Sequence, residues 1–366
     1  MIYLSYIYNS AEVTLGEGNT PLIRSARIGP SLGLPGLYFK LENCNPSGSY
    51  KDRFGASEMA RLLRSGARSC LATSSGNTGS SVAAFCARYA IKCTIVVGEL
   101  VPAGKLAQMQ AYGASVLRIA QYDTSAEVGI QVDRILQEYA TRRRIPFVVS
   151  SYTSCPEGMA GVESISRELD RQMEGSLDHV FIPVGGGGLF SAVCRGFLRT
   201  SRALPRLHAV QPEGCAPIVA AYQRGDDQVL PVISTTCVTG ISVSYNIDGD
   251  LVLQYLRQSG GCGLTVSDRE VLDAQRMLLD EEGVFTEPAG AAALAGVIRA
   301  VEEGRIERSG SMVCLVTGSG FKDMDSILQA AADRPAAWVS PEDLEHQLIQ
   351  SEMSTASPAR RDRNAV

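Results

Sequence analysis

Residues 179–189 read HVFIPVGGGGL: an apolar run of strand length, four consecutive glycines, and the entry to a segment of helical period. Four glycines let the backbone approach an anion closely. The helix that follows aims its free N–H groups and the positive end of its dipole at the same point. A tight turn alone needs fewer glycines. No GK[ST] follows, so this is not a Walker loop, and the spacing is not that of a GxGxxG dinucleotide turn. Strand, glycine turn and helix together predict a phosphate-binding unit of an α/β protein.

The same alternation runs through the chain. Strand-like runs occur at GLYFKLE (36–42), SCLATSS (69–75), KCTIVVG (92–98), SVLRIA (115–120), PFVVSS (146–151), RLHAVQP (206–212) and SMVCLVTG (311–318). Helical periods separate several of them, as in GSSVAAFCARYA (79–90), AGKLAQMQAYGA (103–114) and the segment 125–143. Repeated strand–helix–strand order predicts parallel sheets with helices on both faces. The expected architecture is α/β in two lobes, each a mostly parallel twisted sheet flanked by helices. In such sheets ligands bind where strands end and helices begin. GNTG follows the strand at 69, GGGG the strand at 179 and GSG the strand at 311, so three glycine-rich turns stand where a site would be built.

With 366 residues, 45% hydrophobic and 20% charged, the chain has the composition of a globular protein with an ample core. A formal charge of −5 argues against a nucleic-acid binder, which normally carries a basic face. No run of 18 apolar residues occurs, so no membrane span is expected. The N-terminal MIYLSYIYNS lacks a basic region, and no signal peptide is expected. Ten cysteines are scattered singly with no CxxC pair, which reads as reduced thiols in a cytoplasmic protein. With three histidines besides, no metal site is expected. Near the C-terminus, Ser340 and Pro341 read as the start of a short helix, and the polar tail from about Ser351 as disordered.

Two further stretches carry chemistry. SSGNTGSS (74–81) is a helix entry dense in short donors: Ser75, Asn77 and Thr78 with their amides suit a carboxylate, and Asn77 suits an aromatic hydroxyl. PSGSYKDR (46–53) places Lys51 in the first turn of a helix, a poor position for a cation because of the dipole's sign. That cost vanishes if the amine is neutral or bonded to an aldehyde. A glycine-rich phosphate cup, a nucleophilic lysine and an asparagine for a ring hydroxyl are together the parts that hold pyridoxal phosphate.

GEGNTPL, NPSGSYKDR, SSGNTGSS, PAGKLAQMQAYGA, VGGGGL, GVFTEPAGAAALAG and VTGSGFKD fall in this order over residues 16–330. In this the chain resembles the tryptophan-synthase-β type (fold type II) of pyridoxal-phosphate enzymes, and within that group the threonine synthases, with serine/threonine dehydratases and cysteine synthases near. The resemblance implies that Lys51 bonds to the cofactor's aldehyde and moves protons at the substrate's Cα and Cβ. It implies that Asn77 meets the ring hydroxyl, that Gly185, Gly186, Gly187, Gly188 and the Leu189 amide cradle the phosphate, and that Thr317 meets the pyridine nitrogen. A hydroxyl there, unlike an aspartate, does not stabilise a protonated ring, which suits eliminations that expel a leaving group. Ser75 and Thr78 would hold the substrate carboxylate. Asp52 and Arg53 read as pairing that fixes the helix start.

Three reactions stay open on this reading: threonine synthesis from O-phosphohomoserine and water, dehydration of serine or threonine to a 2-oxo acid, and replacement of a Cβ leaving group. A catalytically silent cofactor-binding protein is the reading from another class. GKLAQMQAYGA and TGSGFKD favour threonine synthesis; the all-glycine cup and EPAGAAALAG favour dehydration. The segment SYTSCPEGMAG (151–161) lies where the resemblance implies an arginine for the substrate's phosphate, near Gly158, yet no Arg or Lys occurs between Arg144 and Arg167. Lys105, Thr153 and Ser154 are the expected substitutes. The expected division is a large cofactor-binding domain of residues 1–53 plus 148–335, a small domain of 54–147, and a C-terminal helix and tail of 336–366. The partners expected are a small amino-acid substrate and, by resemblance, a second copy in a homodimer; neither nucleic acid nor membrane is expected.

Overall fold

A computed structural model describes residues 13–74, 76–199 and 203–355. Its strands, in chain order, are β1 (Leu22–Arg24), β2 (Leu37–Lys40), β3 (Ser69–Ser74), β4 (Lys92–Gly98), β5 (Ser115–Ile119), β6 (Phe147–Val148), β7 (His179–Pro183), β8 (Arg206–Pro212), β9 (Gly263–Val266) and β10 (Met312–Leu315). They form two sheets. One has six strands in the order β1-β2-β10-β7-β8-β9; the other has four in the order β5-β4-β3-β6. Every pairing is parallel except β1 with β2, which joins an antiparallel edge to the larger sheet.

Burial on both faces explains why these strands read as continuous apolar runs. Along β7, Val180 and Ile182 enter one core with Phe190, Val193 and Phe197 of the helix Gly188–Leu198. Phe181 points the other way, into a core with Leu264 and the alanines of the helix Pro288–Glu302. This is the two-residue alternation of a strand serving two layers. The alanine- and glycine-rich helix packs tightly: a Cβ at Gly296 would lie 2.5 Å from Val210 Cγ2. Among the described residues no helix is long and apolar enough to cross a membrane.

The expected strand 146–151 is paired only at Phe147–Val148, because the chain turns away there into the loop that reaches the site. The segment from Leu328 onward is a separate unit. Its helix spans Leu344–Thr355 rather than starting at Pro341. The Asp343 N–H donates to Ser340 Oγ at 3.2 Å, closing a turn before the helix begins. The helix also extends past Ser351, where disorder was expected; the tail beyond residue 355 lies outside the described residues.

Candidate active site

The C-terminal ends of β3, β7 and β10 open onto one cleft, lined by Lys51, Asn77, Ser150, the loop Gly185–Gly188 and Thr317. This is the strand-end, helix-start position where parallel sheets bind ligands.

Lys51 opens the helix Lys51–Arg64. The turn before it is tied to the turn after β10: the Tyr50 N–H donates to Thr317 O at 3.1 Å and the Ser319 N–H to Gly48 O at 2.8 Å. Residues 51 and 317 therefore share one backbone frame despite their separation in sequence. Asp52 fixes the approach, its carboxylate accepting from the Ser47 N–H and hydroxyl at 2.6 Å each. Arg53 anchors the other side between Glu42 (2.7 Å) and Glu168 (2.5 Å), all nearly shut from water. Lys40 joins the same cluster, 2.6 Å from Glu168.

The Lys51 ammonium donates to Ser150 Oγ at 2.6 Å, and that hydroxyl is 2.9 Å from Thr78 Oγ1. Loss of water around it pulls the Lys51 pKa down to about 7, with the Asp248 carboxylate opposing. Burial disfavours the ammonium, so a large share is the neutral, nucleophilic amine near neutral pH.

Gly187 has φ +102°, and a Cβ there would lie 2.7 Å from Val252 Cγ2 and 3.0 Å from Asp248 backbone, so no side chain fits. The helix begins at the next residue, leaving its first amides, Gly188, Leu189 and Phe190, without intrahelical acceptors. Asp248 braces this loop. Its N–H donates to Gly186 O at 2.8 Å, and its carboxylate accepts from the Tyr152 and Thr153 N–H groups at 2.7 and 3.1 Å.

Asn77 starts the helix Asn77–Arg88. Its Nδ2 donates to Glu287 Oε1 at 2.5 Å, while its buried Oδ1 has no hydrogen-bond partner in the protein. The other Glu287 oxygen lies 2.8 Å from Lys105 Nζ, near enough for an ion pair though not aligned as a hydrogen bond.

Lys51, Asn77, Thr78, Gly185–Gly188, Leu189 and Thr317 thus meet in one cleft. Ser75 lies outside the described residues. The three residues expected to take the substrate's anionic end do not line it. Lys105 is fully buried behind Gly76, held by Glu287. The Thr153 hydroxyl is spent on Asp248 at 2.9 Å, and Thr153 and Ser154 border a different depression. At Gly158 a Cβ would fall 2.6 Å from Phe54 Cε2, so that position admits no side chain. Among the described lining residues Lys51 is the one that can carry positive charge, against the carboxylates of Asp123 and Glu287.

Sequence reasoning missed Ser150, hidden at the end of an apolar run, and Asp248, which reads as an ordinary turn residue in IDGD. It also missed the cleft's margin. There Asp133, on the helix Ala126–Arg143, accepts from the hydroxyls of Tyr122 and Tyr245, two residues that line the cleft, each at 2.7 Å. The Tyr245 ring packs on Gly129, where a Cβ would lie 2.7 Å from its Cε1.

The residues present fit pyridoxal phosphate. The cofactor calls for an amine of lowered pKa, unpaired amides for a phosphate and a polar group for the ring hydroxyl. Lys51, the Gly188–Phe190 amides and Asn77, with its unpartnered Oδ1 and second amide hydrogen, answer these in turn.

Comparison with known proteins agrees. Residues 13–318 match the family described as "Pyridoxal-phosphate dependent enzyme". The chain is 33% identical over 343 residues to the threonine synthase of Methanocaldococcus jannaschii, covering 90% of this chain and 82% of that protein. It is 35% identical over 329 residues to the threonine synthase of Bacillus sp. (strain ULM1), covering 88% of each. Among solved structures, threonine deaminase isoform 2 from Solanum lycopersicum superposes with a TM-score of 0.72 at 21% identity, covering 88% of this chain and 84% of that one. Maize serine racemase gives 0.70 at 21%, covering 93% and 94%. At these identities the structural likeness shows the fold alone.

Proposed function

The chain belongs to the pyridoxal-phosphate-dependent enzyme family, and from that premise we propose that it carries out the threonine synthase reaction: elimination of phosphate from O-phosphohomoserine and addition of water at Cβ. Sequence identity to threonine synthases over most of their length supports this choice within the family. The single observation that carries the chemistry is the Lys51 amine, brought to a pKa of about 7 beside the glycine loop.

When bound, pyridoxal phosphate supplies the electron sink that acidifies the substrate's Cα hydrogen. In our proposal the chain's residues do the rest. The Gly185–Gly188 loop and the Leu189 amide hold the phosphate with unpaired N–H groups. Asn77 and Thr317 orient the ring through its hydroxyl and nitrogen. Ser75 and Thr78 hold the substrate carboxylate. Lys51 takes the proton from Cα and redelivers protons along the substrate, oriented throughout by Ser150. We also propose a cytoplasmic homodimer, on the family resemblance and on ten free cysteines without a disulfide.

A second reading is favoured by one observation: apart from Lys51, no cationic side chain lines the cleft among the described residues. A dianionic leaving group is best held by paired guanidinium donors, so a serine/threonine dehydratase, or replacement of an uncharged Cβ group, also suits this pocket. O-phosphohomoserine, threonine, serine and O-acetylserine, offered in turn with phosphate, 2-oxo acids and new amino acids measured, separate these. Threonine formed with equimolar phosphate supports the first reading. A higher kcat/KM for conversion of threonine to 2-oxobutyrate, or O-acetylserine consumed with no turnover of O-phosphohomoserine, installs the second.

A further inference from the structure

Three of the singly scattered cysteines come together in the four-stranded sheet. Cys70 is the second residue of β3 and Cys93 the second of β4, and Cys86 lies two residues before the end of the helix that crosses them. All three are buried. Cys70 Sγ lies 3.6 Å from Cys86 Sγ and 3.9 Å from Cys93 Sγ, and the three sulfurs fall within 4.8 Å of one another.

A parallel sheet with a crossover helix brings these positions together, so the sequence spacings of 16 and 7 residues resemble no metal motif. The distances nevertheless match one kind of coordination. On the scale of the zinc–sulfur bond, about 2.3 Å, three sulfurs in a plane around one ion stand about 4.0 Å apart, and closer where the ion sits out of their plane, as arsenic(III) does with its lone pair. The three free thiols form a triangle near that size, with two sides of 3.6 and 3.9 Å and the third no longer than 4.8 Å.

We propose that Cys70, Cys86 and Cys93 form a three-sulfur site for a soft, thiophilic ion of charge two or three, of the cadmium, mercury or arsenic(III) kind. Sulfur ligands select soft ions over magnesium or calcium. A structural zinc site takes four ligands, and among the described residues no fourth histidine, cysteine or carboxylate completes this group. Charge decides the rest. Each thiolate brings one negative charge into an apolar core, where net charge is expensive. A trivalent ion leaves the centre neutral and a divalent ion leaves it at −1. A monovalent ion would leave −2. Binding of a divalent ion breaks three S–H bonds, forms three ion–sulfur bonds and releases three protons to water; arsenite, present as As(OH)3, exchanges its three As–O bonds for As–S bonds, and the thiol protons leave with its hydroxides as three waters, with no electron transferred in either case.

The site is independent of the reaction assigned to the cleft, and so is its test. Holoenzyme carrying Cys44→Ser and Cys237→Ser, which removes the two exposed thiols, is titrated with cadmium(II) and, separately, with arsenite. The expected result is one ion per chain, with ultraviolet sulfur-to-cadmium absorption. Cys70, Cys86 and Cys93 should be protected together from alkylation on partial unfolding, and the cofactor's visible band should be unchanged. Cys86→Val, which keeps an apolar side chain of similar size, should weaken binding at least 100-fold. Should Cys86→Val fold poorly, the alkylation map of the parent decides alone. Uptake unaffected by Cys86→Val, protection mapping to other cysteines, or no uptake in tenfold excess would each overturn the assignment.

Discussion

Glu287 holds Lys105 at 2.8 Å with both side chains shut from water, and the same carboxylate holds Asn77. One buried charge thus neutralises a lysine and turns an amide of the cleft. Glu287→Gln removes that charge and leaves Lys105 buried without a counterion, which costs about 3–5 kcal/mol. Urea denaturation of the holoenzyme should show a lowered midpoint at an unchanged slope. The double variant Glu287→Gln/Lys105→Met, with no stranded charge, should recover a large part of the loss.

Cofactor uptake by apoprotein requires the neutral Lys51 amine. Burial lowers its pKa to about 7, so the uptake rate should rise with pH through a midpoint near 7 and level off above it. An ordinary lysine would keep the rate climbing towards pH of about 10. Stopped-flow absorbance of apoprotein mixed with pyridoxal phosphate reads this directly, and Lys51→Ala should yield no lysine-dependent visible band at any pH.

Asp248 opposes that depression through its charge. Asp248→Asn keeps the shape while removing the charge, so the midpoint of uptake should move below that of the parent protein. If the midpoint stayed put while uptake slowed uniformly, Asp248 would act only by bracing the 150–153 loop against Gly186.

Burial alone would raise the Glu168 carboxyl, but hydrogen bonds and charge from Arg53 and Lys40 outweigh it and hold the pKa at about 2. Its folded value lies below its unfolded one, so the stability it contributes is present above the ordinary carboxylate range. It disappears as pH falls from about 4.5 towards 2. Arg53→Met should shift the acid-unfolding midpoint upward and cost about 3–5 kcal/mol at neutral pH, since Glu42 and Glu168 would lose their shared partner.

Gly187→Ala places a Cβ at φ +102° and 2.7 Å from Val252 Cγ2. Strain of about 1–3 kcal/mol is expected from the backbone alone. Because that backbone forms the anion cradle, affinity for pyridoxal phosphate should fall at least tenfold, measured by equilibrium titration of the apoprotein.

Much of the scaffold was legible because parallel strands buried on both faces are continuous apolar runs, and helices between them keep their own period. β1 was not, being three residues (LIR) that a two-residue period cannot mark. Nor was β9, whose GLTV follows GGC and itself opens on a glycine. Asn77 and the four glycines could be picked out because each sits at a strand–helix junction with an unusual local composition, Lys51 because a lysine in the first turn of a helix is out of place, and Thr317 only through the family resemblance. The fate of Lys105 could not. Its partner stands 182 positions later, and nothing in the local GKLAQ signals that the amine turns inward. Ser150 and Asp248 were invisible for a like reason, since their importance comes from what lies across the fold.

The two phenols that share Asp133 bear on traffic through the active site. Tyr245 and Asp133 lie on segments far apart in the chain, so any motion that separates those segments must part that hydrogen bond and lift the ring from Gly129. For any molecule that enters from this side, the frequency with which that hydrogen bond opens would set an upper bound on admission, whatever chemistry follows inside.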